Sequence, residues 1–410
     1  MTVVKTYKFK LYKNDKKNKL LYSQIDRFAG VYNHSIALHN RYYSLYKKHL
    51  NKFQLMKHLT KIKNRHSSKA YWKTLPSQAI QDVVERIDRS YTLFFSNIKK
   101  KRKCSPPGFR KFKNYKSFTL KQAGYKLFEE TNQLRIGKHT YGFHRSRDIL
   151  GQIKTLTIKR NSIGELYLYF VVVNTSDEED HQTRVETGKI AGFDFGLKTF
   201  LTSSDGTEFK SPQYFKHSHK ELAVRQRSLS RKKRGSNNRL KAKQHVARIH
   251  IKIADQRKDY LMKLARQLCL DFDVICLEDL TLTGMKRIWG RKMSDLSFGV
   301  FVGYVKYFSQ QLGTKLVLAD KFFPSSKTCS DCGVVNIGLQ LKDREWACKE
   351  CGTIHNRDLN AAINLKNYAL GTISNANTKN TVGASTVSRE DKRLGSNSEQ
   401  SLLTLESQLL

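Results

Sequence analysis

Apolar and polar positions along the chain change period several times, and the changes divide it. Residues 2–12 alternate, with Tyr7, Phe9 and Leu11 against Lys8 and Lys10, which predicts a half-buried strand with a basic outer face. From about Asn18 to Lys103 the period becomes helical. Leu21, Ile25, Phe28, Tyr32 and Ile36 make one stripe, and Ile80, Val84, Ile87, Tyr91, Phe94 and Ile98 a cleaner one that starts at Pro76-Ser77; both read as the core of a helix bundle. Pro106-Pro107-Gly108 ends the helical pattern. Short alternating segments then recur at Ser117–Leu120, Tyr125–Phe128, Gln133–Ile136, Ile153–Ile158 and Leu166–Val173, with Asn161 to Gly164 as a hairpin loop. They predict a small antiparallel barrel that includes the first strand, so the helices are an insertion in it.

The second half has a different grammar. The polar, acidic stretch from Asp177 to Gly188 reads as a linker. Lys189 onward predicts an apolar strand carrying Asp194 near its centre, followed by a hairpin that turns at Asp205-Gly206. Residues 216–269 form a long basic helical stretch broken near Gly235, with Val246, Ile249, Ile253, Leu261, Leu264 and Leu268 facing inward and Arg231 to Arg234 outward. Asp273 to Leu280 predicts a buried strand ending in Glu278, a basic loop holds Trp289, Phe298–Leu312 is a helix closed by Gly313, and Lys315–Ala319 is a strand. Strand, hairpin, helix, strand, helix, strand, insertion and helix is the order of an RNase H-like fold, in which the first and fourth strands are neighbours.

Composition narrows the function classes. The 410 residues, 39% of them hydrophobic, suffice for two or three domains. Lys and Arg number 76 against 35 Asp and Glu, a net charge of +41 that calls for a polyanionic partner, and nucleic acid is the obvious one. No apolar run is long enough to span a bilayer and no signal peptide opens the chain, so the expected setting is the cytoplasm, with no membrane partner. There is also no phosphate-binding or dinucleotide loop, hence no small-molecule substrate.

Candidate chemistry gathers late in the chain. Cys329/Cys332 and Cys348/Cys351 form two Cys-x-x-Cys knuckles fifteen residues apart, the spacing of a four-thiolate zinc site. Gly333 and Gly352 follow the knuckles. Trp346 reads as ribbon core, and His355 as a surface residue or one lying behind the ligands. Asp358 opens the last helix, so Asp194, Glu278 and Asp358 stand on three elements that an RNase H-like fold would bring together. Crowded carboxylates favour hard divalent cations, Mg2+ or Mn2+, and two-metal phosphodiester hydrolysis.

The segments GFDFGLKTF, CLEDL, FFPSSKTCSDCG, CKECG and NRDLNAAINL, in this order and spacing, resemble TnpB, the nuclease encoded by small insertion sequences and related to type V CRISPR effectors. The opening TYKFKLY and LPSQAIQDVVERIDRSYTLFF are similar to it as well, so the likeness covers about residues 1–370. It implies a multidomain α+β fold: a wedge β-barrel (1–15 and 104–180) with an inserted helical recognition domain (16–103), a linker (181–187), a RuvC-like nuclease domain (188–324 and 356–370) with an inserted zinc ribbon (325–355), and a flexible tail (371–410). It also implies RNA-guided cleavage of double-stranded DNA beside a short transposon-adjacent motif, with a guide RNA from the transposon end as partner. Asp194, Glu278 and Asp358 would be the catalytic, Mg2+-binding acids, the four cysteines the Zn2+ ligands, and Arg357 a neighbour of the scissile phosphate. Gln78 and Gln81 would be able to read adenine in that motif, although exposed polar residues of a helix are the better reading of them, and Lys99, Lys100, Lys101, Arg102 and Lys103 to contact phosphate, which capping and solvation of the helix end explain equally well. A transposase using the same acids for strand transfer, and a guided DNA binder that does not cleave, are the alternatives.

Overall fold

The structure, a computed structural model, describes residues 3–121, 124–174, 185–280, 290, 295–340 and 342–381. It divides into two compact units that meet in sequence near Glu179 and Asp180.

The first unit is built on a seven-stranded antiparallel sheet of order β2-β6-β7-β1-β5-β4-β3. Its strands are β1 (Val3–Leu11), β2 (Ser117–Leu120), β3 (Lys126–Phe128), β4 (Gln133–Ile136), β5 (His139–His144), β6 (Gln152–Arg160) and β7 (Leu166–Asn174). The alternation read in β1 decides its placement: Tyr7, Phe9 and Leu11 are buried, and Phe9 lies opposite Leu168 of β7. The sheet curls but stays open. Among the described residues β2 and β3 lie at opposite edges and do not pair, which corrects the closed barrel expected from sequence. β5 was missing from the sequence pattern because Gly142 separates its two inward rings, Tyr141 and Phe143, and dilutes the strand signal.

Between β1 and β2 run α1 (Asp15–Tyr46), α2 (Lys52–Arg65) and α3 (Ser77–Lys99). Asn14 caps α1 by accepting from Lys17 N, and Asn51 and Gln54 close a reciprocal capping box on α2. The stripe of α1 is buried throughout. That of α3 is buried only through Tyr91: Phe94 is half-buried and Ile98 is 50% exposed, so the far end of the helix leaves the core.

In the second unit a five-stranded sheet has the order β10-β9-β8-β11-β12. β8 (Ile190–Phe195), β11 (Val274–Glu278) and β12 (Lys315–Ala319) are parallel, while β9 (Leu201–Ser203) and β10 (Glu208–Phe209) return antiparallel. The first and fourth strands of this unit are therefore neighbours, as the element order requires. The helices are α4 (Tyr214–Ser230), α5 (Asn237–Asp271), α6 (Phe298–Leu312) and α7 (Arg357–Thr381). α7 continues past Leu370, so residues 371–381 are helical where a tail was expected; residues 382–410 lie outside the described residues, as do 181–184 of the expected linker and Trp289. The end of the linker is held, because Thr187 donates from its backbone and its hydroxyl to Asp273.

Two features of this unit matter later. α4 and α5 form an antiparallel hairpin whose apolar contacts run through Leu222, Ile253 and Ile249 and stop at the half-buried Val246; no residue from 223 to 248 is buried. Its tip is tied by Arg239, which donates to the carbonyls of Leu229 and Lys232. The other feature is the approach of α7 to β8. A Cβ on Gly192 would lie 2.2 Å from Ala362 O and 2.3 Å from Lys366 N, so glycine there lets the helix backbone rest directly on the strand. Gly192→Ala is expected to push α7 off the sheet and destabilise the unit by about 1–3 kcal/mol, the usual cost of overpacking. A thermal midpoint equal to that of the unchanged protein would overturn this.

Candidate active site and cysteine cluster

Asp194 is the penultimate residue of β8, nearer the strand's end than the sequence pattern suggested, and Glu278 is the last residue of β11. Cys276 pairs with Gly192 and Leu277 with Phe193, so one more step of the same register sets Glu278 beside Asp194 with both side chains on one face. Asp358 comes to them from the first turn of α7, whose start is capped by Asn356 Oδ1 accepting from Asp358 N and Leu359 N.

Electrostatics ties the three acids together. The Asp194 carboxyl is raised well above the usual range, first by burial, then by the charges of Glu278 and Asp358, with Arg357 opposing. Burial also raises Glu278, against the Ser325 hydroxyl, which donates to its Oε1, and against Arg357. Carboxylates held in this way are short of positive charge, which is the condition under which oxygen ligands take up a divalent cation. Their oxygens are not drawn into one tight cluster: Ser325 holds Glu278, and Arg344 Nη1 donates to both oxygens of Asp358 at 3.2 and 3.1 Å.

The cysteines are drawn together. The four Sγ atoms of Cys329, Cys332, Cys348 and Cys351 lie within 4.8 Å of one another. Each knuckle folds back in the same way: Gly333 N donates to Cys329 O and Gly352 N to Cys348 O, both at 2.9 Å, with the glycines at φ 78° and 73°. A short hairpin, β13 (Glu345–Ala347) with β14 (Ile354–Asn356), joins the second knuckle to α7. Trp346 packs with Cys329, Leu339 and Cys348, as expected of ribbon core. His355 is buried rather than on the surface, its Nε2 3.0 Å from Cys329 Sγ. Four soft thiols at this separation suit a tetrahedral metal, with His355 behind one of them.

Sequence reasoning passed over the residues that join cluster and acids. Asn364 Nδ2 donates to Ser325 O and Thr328 O, at 2.8 and 2.6 Å. Asn360 donates to Thr328 O and accepts from Ser330 N. These two buried amides, four residues apart on one face of α7, fasten the first knuckle and the Ser325 loop to the helix that carries Asp358. Their spacing within NRDLNAAINL was the available signal. Arg344, lost among the chain's many cations, is the arginine paired with Asp358, whereas Arg357 Nη1 donates to Gln340 O at 3.4 Å.

The remaining sequence candidates lie on α3. Gln78 is half-buried, its Oε1 accepting from Lys121 N at 3.1 Å, so its amide is engaged in the fold. Gln81 and Lys99 to Lys103 are exposed. Among the described residues no helix is long and apolar enough to cross a membrane.

Fold and site define a mixed α/β multidomain protein with acids at adjacent strand ends and a four-cysteine cluster beside them. Two family models match it in succession: OrfB_IS605, described as "Probable transposase", over residues 170–289, and "Cas12f1-like, TNB domain" over residues 298–365. A Streptomyces pristinaespiralis protein is 35% identical over 213 residues, 52% of this chain and 52% of its own. An Escherichia coli K12 protein, InsQ, is 28% identical over 365 residues, 83% of this chain and 87% of its own. Both carry the provisional name RNA-guided DNA endonuclease. Among solved structures, the mini RNA-guided endonuclease CRISPR-Cas phi3 superposes loosely, with a TM-score of 0.49 and 11% identity over 90% of this chain and 92% of that one. Over these segments the chain is similar to the proteins named RNA-guided DNA endonuclease, and the match to the Streptomyces relative spans about half of that relative's length.

Proposed function

We propose that the chain is an RNA-guided endonuclease of the RuvC type that cuts double-stranded DNA beside a short motif next to its transposon. The observation that carries the reading is the electrostatic coupling of Asp194, Glu278 and Asp358 on β8, β11 and α7, beside a four-cysteine cluster. The names of the relatives supply the guide and the DNA substrate.

In this reading Asp194, Glu278 and Asp358 hold Mg2+ or Mn2+, which when bound lowers the pKa of an attacking water and stabilises the leaving 3′ oxygen. The chain's own residues set the geometry. Ser325 orients Glu278, and Arg344 holds Asp358 while offering its remaining N–H groups toward a phosphate; its side chain is 46% exposed. Arg357 adds positive charge near Asp194 and Glu278 and limits their repulsion. The four cysteines hold Zn2+, which keeps the ribbon folded. The open sheet (1–15 and 104–180) serves as the wedge, α1 to α3 (16–103) as the recognition domain, and the excess charge forms the channel in which base pairing with the guide reads the target.

The test is cleavage of a plasmid library with a randomised flank, using protein purified with RNA transcribed from its own transposon end. Breaks that need Mg2+, the RNA and one flanking motif are expected. Motif-specific binding without breaks, or joined instead of broken ends, would overturn the proposal.

A further inference from the structure

The far end of the helical insertion carries a surface that cleavage chemistry does not use. No Asp or Glu occurs between Arg27 and Gln81 or between Arg89 and Phe128, so Lys and Arg alone set the formal charge of both stretches. Where the last turns of α1 and α3 meet, aromatic rings form a column. His39 stacks on Tyr91 at 4.7 Å, Tyr91 continues to Phe95 at 6.3 Å and 29°, and His49 meets Phe95 edge-on at 5.5 Å. The inner members, His39 and Tyr91, are buried; burial and the neighbouring His49 push His39 down to about 4, against Asp88, so it stays a neutral ring. The outer members are open, with Phe95 42% exposed and His49 exposed beside it. Leu93 and Ile98 add exposed apolar surface, and Lys47, Lys48 and Lys99 to Lys103 form an exposed cationic rim.

A preformed ring stack with a free end, rimmed by cations, matches a nucleobase with its flanking phosphates. A second copy of the chain would bring the same cations face to face, which is unfavourable. Duplex DNA keeps its bases stacked on one another, whereas folded RNA offers unpaired ones. We propose that Phe95 and His49 are a stacking platform for an unpaired RNA base, with Lys99 to Lys103 holding the adjacent phosphates. The platform shares only its nucleic-acid partner with the proposed function.

The experiment uses the full chain without divalent cation, so that cleavage does not enter, and a single-stranded RNA oligonucleotide bearing 2-aminopurine. Binding should quench the 2-aminopurine fluorescence. Phe95→Leu, which keeps apolar bulk but removes the ring, should abolish the quench and weaken binding by roughly 5- to 100-fold, the range of one base–ring stack. Phe95→Tyr should retain both, and circular dichroism should show all variants folded. Replacing Lys99 to Lys103 with glutamine should weaken binding and flatten its salt dependence, while leaving the quench at saturating RNA. Unchanged quench and affinity in Phe95→Leu, equal affinity for duplex DNA of the same length, or self-association that Phe95→Leu abolishes would each overturn the platform.

Discussion

Asp194→Asn is expected to abolish cleavage and at the same time to raise the thermal midpoint of the cation-free protein. The loss of activity should exceed roughly a thousandfold, because a group that organises the charge at the reacting phosphate contributes about 4 kcal/mol or more to the barrier. The gain in stability follows from the same environment. Asp194 ionises against burial and against Glu278 and Asp358, so its folded pKa lies above its unfolded one. Such a carboxylate costs nothing when protonated on both sides of the folding equilibrium. Its cost grows as pH rises from the unfolded value through the raised one. The asparagine variant should therefore match the unchanged protein at low pH and exceed it towards neutrality, with a thermal midpoint that rises above it as pH climbs. Added Mg2+ should narrow the gap by stabilising only the chain that has the carboxylate. Scanning calorimetry across pH, with and without Mg2+, reads all of this. A midpoint lowered at neutral pH, or cleavage retained, would remove Asp194 from the centre of the site.

Disabling the cysteine cluster should act at a distance. Cys348→Ser, or extraction of zinc by a chelator, is expected to unfold residues 325–355, because binding of a structural zinc ion is folding free energy for so small a unit. The damage should not stop there. Asn360 and Asn364 would lose the carbonyls of Thr328 and Ser325 that they hold, leaving buried amides without partners, and Ser325 would release Glu278. Cleavage should fall by roughly 10- to 100-fold, the usual loss when supporting groups around a metal site are removed. Metal analysis should give one zinc per chain before the change and none after. Full activity in zinc-free protein would show that the cluster does not support the acids.

Much of this was legible beforehand because two signals are local. Knuckle spacing is a property of a few consecutive residues, and an acid at the end of an apolar run marks a strand end whatever surrounds it. The adjacency of the first and fourth strands of the second unit followed from the order of its elements. What stayed hidden depends on distant partners. Arg344 becomes distinctive only when α7 brings Asp358 to it, and among 76 cations nothing local sets it apart. Gln78 reads in sequence as an exposed helix residue that could reach a base, and only the fold brings Lys121 N to its oxygen. Sequence leaves His355 either on the surface or behind the ligands, because a three-residue strand is too short to show which face is covered. The open sheet was read as a barrel because alternation gives the faces of strands but not whether the last strand meets the first.

The α4–α5 hairpin has a consequence for how proteins of this build change in size. Its foot is fixed by Leu222, Val246, Ile249 and Ile253 and its tip by Arg239, and no residue between them is buried. Paired additions or deletions of whole helical turns would preserve both ends while altering only reach. The arm is thus a part whose length can drift without refolding its neighbours, whereas α7, seated on a glycine and fastened by two asparagines, tolerates no shift at all.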